Sequence, residues 1–84
     1  MISSAQCRAA RAMLDWSQQD LADNARLSVV TIHQFERGAT QPHRATMDVI
    51  VRTFEAAGIE FIDGDAPGVK LRKRVTAPSG RKKK

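Results

Sequence analysis

The 84-residue sequence lacks a second cysteine, a long apolar run and any acidic residue after Asp65, and each absence removes a class of protein. With Cys7 alone, no internal disulfide can form. His33 and His43 lie too far along the chain for a metal-ligand spacing, so Cys7 reads as a buried thiol and no metal is expected. No stretch approaches the roughly 18 apolar residues of a membrane span. The N-terminus lacks a basic region followed by an apolar core and a cleavage site, and the expected location is the cytoplasm. Asp63-Gly64-Asp65 opens like a calcium loop, but the twelfth position counted from Asp63 is Arg74 where a bidentate glutamate is needed, which leaves a turn. No acid, base and nucleophile are set by spacing on a shared face, so neither catalysis nor a cofactor nor a small-molecule ligand is expected. A chain this short buries only about 60% of its unfolded surface, which leaves no room for a cleft with lids and makes dimerisation a useful source of stability.

The formal net charge of +5 is unevenly placed. Residues 1–69 carry six basic side chains (Arg8, Arg11, Arg26, Arg37, Arg44, Arg52) against all nine acidic ones, a balance of −3, whereas residues 70–84 carry the other eight basic groups, a balance of +8. The excess is a property of the tail, so a folded part that binds a polyanion must do so through a local cluster. Residues 73–84, rich in Pro, Ser, Gly and Lys from Val75 onward, read as a basic disordered tail. Its Arg81-Lys82-Lys83-Lys84 end is either a solubilising terminus or an arm drawn without specificity to a nearby polyanion.

Four helices account for residues 1–58. Ser3 with Gln6 three residues on is a capping box, followed by Cys7, Ala10 and Leu14 at helical spacing, and this helix is expected to end near Asp15. Ser17 with Asp20 repeats the signal for a second helix with Leu21, Ala22 and Ala25 inward. Ser28 caps a third, ending at Gly38. After the loop 39–42 a fourth runs from about His43 or Arg44 to Ala57, with Met47, Ile50, Val51 and Phe54 as its apolar stripe and Gly58 as a left-handed stop. The period then changes. Ile59, Phe61, Val69 and Leu71 alternate with polar residues on either side of the turn formers 63–68, which predicts a β-hairpin over 59–72. An isolated hairpin is marginal in water, so it must pack on the helices or pair with a second subunit. Trp16, between the first two helices, reads as a packing residue.

Residues 17–37 carry the most information. At roughly 100° per residue, Ser28, Thr31, Ile32 and Phe35 fall on one side of the third helix, and Val29, Val30, His33, Gln34 and Arg37 on the other. Ile32 and Phe35 claim the core side. The opposite side is small and polar enough to lie against a DNA groove, and the two helices with their tight turn form a helix-turn-helix pattern.

The segments R-A-A-R-A-M-L-D-W-S-Q-Q-D-L-A and L-S-V-V-T-I-H-Q-F-E-R-G, with Pro42 and Thr46-Met47, resemble in type and spacing the Cro/C1-type (XRE) helix-turn-helix domain over about residues 3–58. The fold this implies is mainly α, a four-to-five-helix lambda-repressor-like domain followed by the short hairpin. The resemblance places Val29, Val30, His33 and Gln34 at positions that enter the major groove. Gln34 would pair with adenine, His33 donate to guanine N7, and the valines pack on thymine methyls. It places Ser17, Gln18, Arg37, Thr40, Gln41, His43 and Arg44 along the DNA backbone, and it makes Arg11 and Glu36 an ion bridge between the first and third helices. One position departs from the family: its turn usually holds glycine where this chain has Arg26, and Arg26 is either a tolerated left-handed residue or one that reaches a DNA phosphate.

The expected function is a bacterial or phage-type transcriptional regulator, typical of mobile elements, binding an inverted-repeat operator on double-stranded DNA as a homodimer. Control would come from blocking RNA polymerase or contacting it from an adjacent site. Ile59, Phe61, Val69 and Leu71 on the hairpin are the candidate dimer surface. The alternatives are an antitoxin that autoregulates its operon and a protein-interaction module that keeps the fold without the DNA role.

Overall fold

The computed structural model describes residues 2–72, and the predicted basic tail at 73–84 lies outside them. Four helices are followed by a two-stranded antiparallel sheet: α1 (Ser4–Leu14), α2 (Gln18–Ala25), α3 (Val29–Glu36), α4 (Arg44–Ala56), β1 (Ile59–Ile62) and β2 (Gly68–Leu71).

Each of the first three helices starts at a serine. The Ser3 side chain accepts from the Gln6 amide while the Gln6 side chain accepts from the Ser3 amide, and Ser17 and Asp20 do the same at α2. Ser28 accepts from Val30 N at 3.0 Å, whereas His43 at the start of α4 makes no such side-chain bond. Helix ends turn left-handed at Asp15 (φ 61°), Arg26 (φ 58°), Gly38 (φ 77°) and Gly58 (φ 101°). Glycine adopts this conformation freely and Asp tolerates it, but for arginine it costs roughly 1–2 kcal/mol.

The core is built from Cys7 and Ala10 of α1, Leu21, Ala22 and Ala25 of α2, Ile32 and Phe35 of α3, and Met47, Ile50 and Phe54 of α4, closed by Ile2 and Ile59. α3 packs on α1 and α2, α4 on α2 and β1, and β2 on α1. Phe54 is the aromatic centre: Trp16 stacks on it and Phe61 meets it edge-on, both at a centroid distance of 5.8 Å.

The four hairpin residues named as a candidate dimer surface lie together on one face of the sheet, with Ile59 paired to Leu71 and Phe61 to Val69. That face turns onto the helices: Ile59 is 1% exposed, Phe61 and Val69 are packed against the core, and only Leu71 keeps substantial exposure, at 43%. Ile59 is therefore a core residue of the single chain, and Phe61 and Val69 are partly buried against the same core. The helices leave the edge of Phe54 for the hairpin to cover, which makes covering it internally favourable.

The hairpin is also tied down by a polar contact. Gln6, buried at the start of α1, donates through Nε2 to the carbonyls of Ile62 (3.2 Å) and Gly68 (3.1 Å), the last cross-strand pair before the turn. Gln6→Ala removes both donors and the capping acceptor, and should cost about 1–3 kcal/mol in urea unfolding. Amide hydrogen exchange should accelerate mainly in residues 59–71; an increase spread evenly over the four helices would contradict a local role.

Candidate nucleic-acid interface

A single carboxylate holds the back of the third helix. Glu36, the last residue of α3, is buried, and its oxygens accept from Arg11 Nε (2.7 Å) and Nη2 (2.7 Å), from Gln18 Nε2 (3.1 Å) and from Cys7 Sγ (3.1 Å). Arg11 and Glu36 thus form a two-point ion pair, the geometry that suits a guanidinium best. Arg11 Nη1 also donates to the Trp16 carbonyl at 2.9 Å, and Arg8 donates to the backbone carbonyl of Glu36. α1, the α1–α2 link, the start of α2 and the end of α3 therefore meet at one charge.

The electrostatics follow from that crowding. Burial by itself raises the pKa of Glu36, but the hydrogen bonds from Arg11, Gln18 and Cys7, with the charge of Arg11, outweigh it and hold the carboxyl below the usual carboxylate range. Cys7 moves the other way: burial, donation to Glu36 and repulsion by its charge push the thiol well above its ordinary value against a weaker pull from Arg11 and Arg8. It remains a thiol and a hydrogen-bond donor, not a nucleophile.

In front of this clamp, the outward side of α3 is open. Val30 is 60% exposed, His33 is exposed and Gln34 is half-buried. Val29 departs from its expected place. It is half-buried and packed against the core, because the first turn of α3 lies close enough to its neighbours to cover part of its side chain. Arg37, Thr40, Gln41, His43 and Arg44 are exposed, in the segment running from the end of α3 to the start of α4. Ser17 is exposed with its oxygen taken up by the Asp20 amide (2.9 Å), and Gln18 has one amide hydrogen committed to Glu36.

The sequence named Arg11 and Glu36 through the family resemblance alone. The parts played by Cys7, Arg8 and Gln18 were missed. Cys7 and Arg11 stand four residues apart on α1, a spacing that puts them on one face, but nothing local to Gln18 shows that its amide turns to Glu36. Among the described residues no group of three or more His, Cys, Asp or Glu side chains could hold a metal ion, and no helix is long and apolar enough to cross a membrane.

Residues 4–61 match the family model of a helix-turn-helix domain, and the chain belongs to that family. A comparison with curated proteins gives no match. The motif presents one helix to duplex DNA, so the family points to DNA binding.

The clamp has a pH signature. A carboxyl whose folded pKa lies below its unfolded value of about 4.3 contributes stability that is fully present above that value and is lost as pH falls through the folded pKa. The gap in urea midpoint between the wild type and Glu36→Gln should thus be constant from pH 7 to about 5 and narrow below about 4. A gap that does not change with pH would remove Glu36 as its source. At neutral pH, Glu36→Ala leaves Arg11 without its partner and should cost about 3–5 kcal/mol.

Proposed function

We propose that the chain is a sequence-specific transcriptional regulator of the Cro/C1 (XRE) type, which binds an inverted-repeat operator as a homodimer through α3. The supporting observation is the pairing of an outward face bearing Val30, His33 and Gln34 with an inward end fixed by Glu36. A helix that reads base edges must hold its register against the groove, and an internally clamped helix does so without reordering on binding.

In this reading Gln34 makes a bidentate contact to adenine N6 and N7, His33 donates to guanine N7, and Val30 packs on a thymine methyl, with Val29 contributing only its exposed part. Arg37, Thr40, Gln41, His43 and Arg44 meet phosphates on one side of the groove, and Ser17 and Gln18 on the other. Two valines leave few hydrogen bonds for direct readout, so operator shape and half-site spacing supply part of the specificity. Two copies place their α3 helices about 34–36 Å apart, one turn of the duplex. Of the four hairpin residues first considered for pairing, Leu71 keeps substantial exposure, at 43%, while Phe61 and Val69 are partly buried. The regulator works in the cytoplasm at the nucleoid, by occluding RNA polymerase or contacting it from an adjacent site.

Selection of bound fragments from genomic DNA, followed by binding titrations, tests this reading. A recurrent two-fold site is expected, and Gln34→Ala should lose about 1–3 kcal/mol of discrimination at one base per half-site. If all fragments bind alike, α3 is not a reader and the protein-interaction reading takes its place. Co-purification of a specific protein partner, with operator binding intact, would favour the autoregulating antitoxin.

A further inference from the structure

Arg26 occupies the turn between α2 and α3 in a left-handed conformation (φ 58°, ψ 45°). Of the four left-handed helix ends, two are glycine and one is Asp15, a residue type whose short polar side chain tolerates the conformation. Arg26 alone has neither excuse. Its side chain is exposed and makes no hydrogen bond or ion pair among the described residues. Packing therefore does not account for an arginine here, and strain kept at an exposed position points to a use for the side chain.

Charge supply gives an independent reason. Residues 2–72 carry eight basic side chains against nine acidic ones. Two of the eight are consumed internally, Arg11 by Glu36 and Arg8 by the Glu36 carbonyl. Arg52, Lys70 and Arg72 lie on the later part of α4 and at the end of the hairpin. Only Arg26, Arg37 and Arg44 remain on or beside the helix-turn-helix and the start of α4. Arg26 stands two residues before Ser28, the cap of α3, while Arg37 directly follows the end of α3. The two thus flank the helix at opposite ends.

We propose that Arg26 is a DNA-phosphate contact, the cation that meets the backbone beside the N-terminal end of α3, and that it is retained in the turn for this charge in spite of its backbone strain. The proposal rests on the reading of α3 as the helix that enters the groove. It assigns Arg26 to affinity and not to base choice, because a phosphate carries no sequence information.

The competing account is that the positive charge serves only the C-terminal end of the α2 dipole. Arg26→Gly, Arg26→Asn and Arg26→Lys separate the two, with binding to the selected duplex and to a mismatched duplex followed by fluorescence anisotropy from about 50 to 200 mM salt, alongside urea midpoints. Arg26→Gly and Arg26→Asn are expected to keep the wild-type midpoint or exceed it, and to bind both duplexes about fivefold more weakly at low salt. The slope of log K against log salt should become shallower by about 0.9, the share of one phosphate. Arg26→Lys should keep the wild-type slope. Unchanged affinity and slope in Arg26→Gly and Arg26→Asn, with or without a lowered midpoint, would overturn the proposal. Failure of the wild type to prefer the selected duplex would sink the regulator reading instead, and the salt slopes on non-specific DNA would still decide the role of Arg26.

Discussion

The structure depends on keeping one buried charge satisfied. The Glu36 carboxylate lies at the end of α3, out of water, where an unpaired anion would be costly. Its remedy requires Arg11 from α1, Gln18 from the start of α2 and Cys7 from the floor of the core to converge on two oxygen atoms. A buried ion pair is not in itself a strong source of stability, since desolvation offsets much of the attraction. What it supplies is uniqueness of arrangement. If α3 rotated or slid, several donors would lose their acceptor together. The same demand explains why a thiol at the base of the core is held protonated: Cys7 is useful there as a donor.

The second constraint is size. Helices of 8 to 13 residues cannot enclose Phe54 by themselves. The stacked Trp16 covers one side of its ring, and Phe61 from β1 approaches edge-on. The hairpin is thus part of the core and not an appendage. Gln6 links these two regions: a residue in the first turn of α1 that completes its capping box also holds the two carbonyls that close the hairpin, so the helix bearing Arg11 and the strands that cover Phe54 share one anchor.

Much of this organisation was legible along the chain, because the interactions that define helix ends are local. Ser3 with Gln6 and Ser17 with Asp20 form their caps across three residues, Gly38 and Gly58 stop helices by their own backbone freedom, and the change of period at Ile59 marks the strands. The division of α3 into Ile32 and Phe35 inward and Val30 and His33 outward is likewise a matter of angle around one helix. Val29 escaped this logic. Its angle on the helix points outward, yet neighbouring elements cover part of it. Gln18 was read for the DNA backbone from its position in the motif, and the structure shows its amide already partly engaged by a residue 18 positions away.

The sequence by itself determined the elements, their caps, the helix-turn-helix and the two faces of α3, since these follow from hydrophobic period, side-chain-to-backbone hydrogen bonds and glycine placement over a few residues. Only the tertiary structure decided that Gln6 clasps strands 56 to 62 residues away, that Cys7 and Gln18 complete the shell of Glu36, and that the hairpin buries Ile59 and partly buries Phe61 and Val69 against the core. Those outcomes depend on which surfaces remain uncovered once the helices pack. That is a property of the whole assembly, and spacing along the chain does not encode it.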